Sequence, residues 1–309
     1  MAGWTNRGKF NVFGHFFRNV AAPTDFRAML CTSIAAPTAD TDTFAALTEI
    51  AAGNGYTSGG ITLARSAVGF DVLTENDTND RGELQLADLV WTASGGPIPS
   101  SGNGARYLVL TDDNVTINSR EVLCYWDLTS DRSVTDGQAL TLADFEIRLF
   151  NAAANAQWTN RGKVTVLDAY FRGAALDANL QVMLITDAVV PTADTNLFSE
   201  LTEIAAGNGY VSGGGAPGDL ARNATDFDVL TEDDTGDRAF TQFVDAVWTA
   251  AGGPIPASGN GARYAVLTDD NVTIGSREVY AWFDLGAARS VSDTQTITLQ
   301  DMELGLTES

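Results

Sequence analysis

Leu47-Thr-Glu-Ile-Ala-Ala-Gly-Asn-Gly-Tyr56 returns without a change as Leu201-Thr-Glu-Ile-Ala-Ala-Gly-Asn-Gly-Tyr210. Working outward, Trp4-Thr-Asn-Arg-Gly-Lys9 recurs as Trp158-Thr-Asn-Arg-Gly-Lys163 at the same offset of 154. Gly95-Gly-Pro-Ile-Pro99 then reappears as Gly252-Gly-Pro-Ile-Pro256, and Val109 to Ile117 as Val266 to Ile274, at an offset of 157. One three-residue insertion near Gly215 to Gly218 accounts for the change. A period this long is a domain duplication rather than a solenoid, whose period would be about 20 to 50 residues. The expected organisation is a first repeat over 1–154 and a second over 155–309, joined by the small, polar stretch Asn151-Ala-Ala-Ala-Asn-Ala-Gln157. So short a connection holds the halves side by side.

Within a repeat, Phe10, Phe13, Phe16 and Phe17, and again Val164, Leu167, Tyr170 and Phe171, fall at helical spacing, so each repeat opens with a short amphipathic helix. A second helix is expected after Asp40, carrying Phe44, Leu47 and Ile50 and stopped by Gly53-Asn-Gly55; Asp194, Phe198, Leu201, Ile204 and Gly207 repeat it. The rest reads as strands: Phe26 to Thr32, Phe70 to Thr74, Leu84 to Thr92, Tyr107 to Thr111, Glu121 to Leu128 and Leu140 to Leu149. In the last, the apolar alternation slips by one at Ala143-Asp144, as at Gln300-Asp301 in the second repeat, which predicts a bulge or bend. The expected fold is mainly β: two similar domains of β-sandwich or jelly-roll type, each with one or two short helices.

Composition narrows function. With 40 acidic against 18 basic residues the net charge is −22. The first repeat has 10 basic and 18 acidic residues and the second 8 and 22, so no basic face hides in one half. Such a surface repels nucleic acid and anionic lipid. No apolar stretch is long enough to span a membrane and no cleaved export signal is visible, so neither nucleic acid nor membrane is an expected partner. Cys31 and Cys124 lie in apolar strands and align with Ile185 and Ala281, which makes them buried free thiols rather than a disulfide or metal pair.

No catalytic, metal or cofactor residue is assigned. His15 is the single histidine and aligns with Ala169, so a histidine-based relay or metal site would rest on one side chain. Gly53-Asn-Gly-Tyr-Thr-Ser-Gly59 lacks the spacing of a dinucleotide or phosphate loop and reads as a turn anchored by Tyr56, and by Tyr210 in the copy, with Asn54 and Asn208 in left-handed conformation. The acidic stretches Glu75 to Asp80 and Asp112-Asp113-Asn114, with Glu232-Asp-Asp234 and Asp269-Asp270-Asn271, could offer calcium oxygens but lack the EF-hand order and read as solvated turns. No carboxylate pair stands out for glycoside hydrolysis. Trp91 and Trp248, Tyr125 and Trp282, and Trp126 and Phe283 occupy matched positions and read as shared core rather than a sugar platform. The Pro97-Ile98-Pro99 and Pro254-Ile255-Pro256 segments read as loops with apolar tips; with Tyr56 and Tyr210 they are the candidate protein-contact residues.

The order Asn-Arg-Gly-Lys, Pro-Thr-Ala-Asp-Thr, the Leu47 to Gly60 block, Val-Trp-Thr-Ala and Ala-Arg-Tyr resembles a group of virion structural proteins of tailed bacteriophages, which usually hold one such unit. The resemblance covers most of both repeats and is most specific in the Leu47 to Gly60 block and its twin. It implies a particle-associated role without an active site, and carries over no functional residues. Within that group the expectation is a head decoration or cement protein on the outer capsid surface, made in the host cytoplasm, with the major capsid protein and copies of itself as partners. The alternative is a tail, neck or fibre-associated structural or receptor-binding protein. A homotrimer is the assembly such a role suggests, although a duplicated domain can instead give a monomer or dimer a pseudo-twofold surface.

Overall fold

The structure, a computed structural model, describes residues 2–150 and 156–307. The first repeat runs β1 (Ala2–Trp4), α1 (Asn6–Arg18), β2 (Asp25–Cys31), β3 (Ile61–Ala64), β4 (Val72–Asn76), β5 (Arg81–Gln85), β6 (Leu89–Thr92), β7 (Ala105–Asp112), β8 (Val122–Arg132), β9 (Ala139–Leu142) and β10 (Glu146–Leu149). The second runs β11 (Ala156–Trp158), α2 (Asn160–Leu167), β12 (Asn179–Ile185), β13 (Asp219–Ala221), β14 (Val229–Asp233), β15 (Arg238–Phe243), β16 (Ala246–Thr249), β17 (Ala262–Asp269), β18 (Val279–Arg289), β19 (Thr296–Leu299) and β20 (Met302–Thr307). The chain is mainly β; of the stretch expected to link the repeats, residues 151–155 lie outside the described residues, and Ala156 and Gln157 belong to β11.

The five-stranded sheet β1-β8-β7-β2-β3 has its counterpart in β11-β18-β17-β12-β13. The second layer of each repeat is a three-stranded piece, β10-β5-β4 or β14-β15-β20, extended by a two-stranded ribbon, β6-β9 or β16-β19. The pairings of β7 with β8, β6 with β9 and β5 with β10 are antiparallel and nested, as in the wrapped ribbon of a jelly roll. Two indoles tie the layers together: Trp4 Nε1 donates to Arg148 O at 2.8 Å and Trp126 Nε1 to Glu146 O at 3.1 Å.

Local sequence accounts for the elements. Alternating residues of β6 and β9 are buried and exposed, as one-sided strands require. Ala28, Met29, Leu30 and Cys31 are all fully buried, because β2 is covered on both faces. The phase slip at Asp144 and Asp301 is a bend: these residues take φ of 59° and 53°, and the chain passes there from β9 into β10 and from β19 into β20. The stretch Leu84 to Thr92 is divided in the same way, between β5 and β6.

The second expected helix is corrected. Only the short 3-10 turns Phe44–Ala46 and Phe198–Glu200 form there. Backbone pairing with the neighbouring strands wins: Ile50 N donates to Leu30 O at 3.0 Å, Thr32 N to Thr48 O at 2.8 Å and Phe44 N to Arg120 O at 2.9 Å. The segment is an extended strap whose Phe44 packs with Met29, Cys31, Val109 and Val122 on the outer face of the five-stranded sheet. Asp40 caps no helix and accepts instead from Asn6 Nδ2 at 3.1 Å.

The largest cluster of buried side chains runs continuously from Trp4 to Leu306 and is drawn from both repeats, with one smaller separate cluster around Phe44 and another around Phe198.

Candidate functional site

The Trp-Thr-Asn-Arg-Gly-Lys motif builds the join between the repeats. Thr5 and Thr159 cap their helices, accepting from Gly8 N at 2.8 Å and Gly162 N at 2.9 Å. The glycine allows the first turn to lie on the same repeat's sheet: a Cβ at Gly8 would fall 2.3 Å from Leu123 O, and one at Gly162 2.2 Å from Tyr280 O. With the helix so seated, Asn, Arg and Lys reach into the other repeat.

What they meet there is the hairpin turn between β4 and β5, or between β14 and β15. Lys9 Nζ donates to Asp237 O at 2.6 Å, and Lys163 Nζ to Asp80 O. Asn6 Nδ2 donates to Asp234 Oδ1 at 3.4 Å while Asn160 Nδ2 donates to Asp77 Oδ1 at 3.3 Å. Arg7 pairs with Glu232 at 3.0 Å, and Arg161 with Glu75 at 3.2 Å. Both lysines of the chain are thus buried in this seam, and burial lowers the Lys163 ammonium to about 8 against the pull of Asp80 and Asp194. Two of the four acidic stretches read as solvated turns, Glu75 to Asp80 and Glu232 to Asp234, are exposed at Asp77, Asp80 and Asp234 and also receive the other repeat's helix.

The helix ends are exchanged in the same reciprocal way. Phe171 packs against Trp4, Phe26 and Phe70 of the first repeat, with centroids 6.0, 5.1 and 5.3 Å apart. Phe17 packs against Trp158 and Phe227 of the second at 6.0 and 4.9 Å. Arg65 donates to Tyr170 O at 2.7 Å and Ala169 O at 2.6 Å; its counterpart Arg222 donates to Phe16 O and lies 4.4 Å from the Phe16 ring. His15 sits in this join, within 2.8 Å of Val20 O through Nδ1 and 3.1 Å of Arg65 through Nε2. Those partners fix a neutral ring with its proton on Nδ1. Burial, then Arg65 and Arg222, lower its pKa.

The candidate contact residues fare differently. Tyr56 and Tyr210 are buried anchors, not surface: each hydroxyl accepts from a β-strand amide, Leu30 N or Leu184 N, at 3.0 Å and donates to Glu49 or Glu203 at 2.8 Å. Glu49 further accepts from Ser58 Oγ and Gly59 N, both at 2.7 Å, so the most faithfully repeated block is a structural strap. Ile98 and Ile255 are fully buried, held by two backbone hydrogen bonds each to Val134 and Val291, and Pro99 and Pro256 are buried beside them. Their apolar side chains turn inward, which overturns the expectation of an apolar tip; Pro97 and Pro254 alone of this set are exposed. Asn54 and Asn208 take the expected left-handed conformation, both at φ 53°. Cys31 and Cys124 are buried and free, and burial pushes the Cys31 thiol well up.

Asp112 and Asp269 accept backbone amides, from Glu121 N at 3.1 Å and from Asn271 N at 3.3 Å, which makes those acidic stretches capped turns. Among the described residues no group of three or more His, Cys, Asp or Glu side chains is arranged to hold a metal. The same residues include no helix long and apolar enough to cross a membrane.

Two surface features escaped the sequence reading. A groove of about 630 Å³ opens between β18 and β19, with Leu285, Ile297, Leu299 and Met302 in its lining. Its counterpart of about 390 Å³ is lined by Leu128, Leu140, Leu142 and Phe145. Val115 and Val272, at matched positions, are each 95% exposed. Their apolar alternation was legible, but what remains uncovered depends on how the layers close. Compared with family models, curated proteins and solved structures, the chain matches none.

Proposed function

We propose that this is a non-enzymatic structural protein of a tailed-phage particle, a decoration or cement protein that binds the outer surface of the head. The carrying observation is the reciprocal seam. It spends the repeated polar motif on joining two repeats into one body whose outward features come in pairs. The −22 charge favours a position away from packaged DNA. The resemblance described above supplies the particle. Paired outer features, such as Val115 with Val272 and the two grooves, suit docking on a repeating lattice of capsid subunits, and a wide docking area is what would let such a protein reinforce a shell.

The test is to add purified protein to particles lacking it and reconstruct them. Density on the outer head surface, with heads that resist heat or osmotic shock better, supports the reading. Density confined to neck, tail or fibre moves the protein to the alternative position, and failure to bind particles at all rejects both.

A further inference from the structure

Two clefts occupy matched places in the repeats. One, of about 340 Å³, has Asn11, Val20, Asp112 and Glu121 in its lining, and the other, of about 590 Å³, has their equivalents Thr165, Ala174, Asp269 and Glu278. Each is also lined by a tyrosine that is almost wholly buried, Tyr170 at 2% and Tyr280 at 3% exposure. These two are not equivalent residues. Tyr170 follows α2, where the first repeat has Phe16, and Tyr280 stands on β18, where the first repeat has Leu123. The Phe16 ring lies 5.6 Å from that of Tyr280, so each cleft receives one phenol, from the other repeat's helix in the first and from its own sheet in the second. Tyr170 is hydrogen-bonded through its carbonyl, by Arg65, and neither hydroxyl has a hydrogen-bond partner among the described residues. A buried hydroxyl left without a hydrogen bond is costly, and here the same omission is reached from two different positions.

The charge around each phenol is one-sided. Among the described residues, the lining of the first cleft holds Asp112, Asp113 and Glu121 and no positive side chain. The second sets Glu75, Asp168, Asp177, Asp269 and Glu278 against Arg161, which is already paired with Glu75 at 3.2 Å. Carboxylates only accept, so they give the phenol oxygen nothing to accept from. Asp112 and Asp269 spend Oδ1 on backbone amides of their turns and keep Oδ2. The geometry points to a cation site in each cleft, where a guanidinium or alkylammonium group donates both to the phenol oxygen and to the aspartate that ends β7 or β17. A group with several donors suits these clefts better than a metal ion, because the described carboxylates do not gather in threes around one point. Burial, more than any neighbour, raises the carboxyl groups of Asp112 and Asp269, and a bound cation would oppose that shift. This chemistry is independent of any position on a particle: the group can belong to a lysine or arginine of a docking protein or to a free polyamine.

The test titrates the full chain, with isotope-labelled tyrosine rings, at neutral pH and low salt. The probes are N-acetylarginine amide, its uncharged counterpart N-acetylcitrulline amide, and spermidine. Saturable shifts of the Tyr170 and Tyr280 ring signals with the arginine compound and not the citrulline one support the sites as receivers of a basic side chain. Shifts with spermidine and not the arginine compound support them as sites for a free polyamine. Asp112→Asn, which keeps the turn's acceptor, should weaken binding at Tyr170 by about tenfold and spare Tyr280, and Asp269→Asn should do the reverse. Tyr170→Phe and Tyr280→Phe should leave the urea midpoint no lower, since no hydrogen bond is lost, yet weaken binding by about threefold in calorimetry. The proposal is overturned by the absence of a saturable shift with either cation, by equal shifts with the citrulline compound, or by unchanged binding in both aspartate variants. Should those variants fold poorly, a fall in stability on removing either hydroxyl overturns it as well, because the phenol would then have a structural partner.

Discussion

The first repeat's helix is regular and the second's is not, yet they arrive at the same place. α1 continues for 13 residues to Arg18 and ends on Asn19 at φ 52°, while α2 gives way after eight to a π-helical turn over Asp168–Arg172 and ends on Gly173 at φ 73°. Phe17 and Phe171 nevertheless occupy equivalent seats in the other repeat's core. The seam, then, constrains the ends of the helix: the capped first turn at Thr5 or Thr159 and the ring about three turns on. Between them the winding is free to vary, and a π turn absorbs the mismatch at local cost.

The comparison can be broken most forcefully at those rings. Phe171→Ala and Phe17→Ala should each destabilise the chain by about 3–5 kcal/mol in denaturant titration, because each empties a packed site walled by the other repeat. Similar losses from both are expected, and a loss from one alone would make the twofold relation superficial. Next, Gly8→Ala and Gly162→Ala place a methyl against a backbone carbonyl, so each should lift its helix and cost about 1–3 kcal/mol.

The arginine pair sharpens the contrast. Arg222 is 7% exposed and stacks on Phe16, while Arg65 is less enclosed, so Arg222→Ala should cost about 2–3 kcal/mol and Arg65→Ala about 1 kcal/mol by thermal unfolding. The smallest effect belongs to Trp126→Phe, which removes the hydrogen bond to Glu146 O and imitates the natural Phe283. It should cost about 0.5–1.5 kcal/mol, and the reverse change, Phe283→Trp, should cost no more.

Legibility followed range. The repeat, the opening helices, the main strands and the bends at Asp144 and Asp301 were readable because each rests on local spacing or a local backbone requirement. The strap from Phe44 to Ile50 was not: its apolar residues recur at helical intervals, but the carbonyls of Leu30 and Arg120 and the amide of Thr32, all distant in sequence, claim its backbone. Asp77 and Asp80 do lie in an exposed turn, but that this turn and Glu75 also receive Arg161, Asn160 and Lys163 was not legible, since those partners lie in the other repeat. Ile98 was misread as exposed because nothing in a Gly-Gly-Pro-Ile-Pro run records the bridge to Val134. The repeated Asn-Arg-Gly-Lys motif was visible as a pattern, and its purpose became visible only with both repeats in place.

The central claim is that the repeats share one core and therefore unfold together. Scanning calorimetry of the intact chain tests it most directly, by setting the measured unfolding enthalpy against the van't Hoff enthalpy from the shape of the same transition. One transition with the two enthalpies equal is the predicted result. Two resolved transitions, or a measured enthalpy near twice the van't Hoff value, would mean that each repeat melts alone and that the seam joins them only weakly.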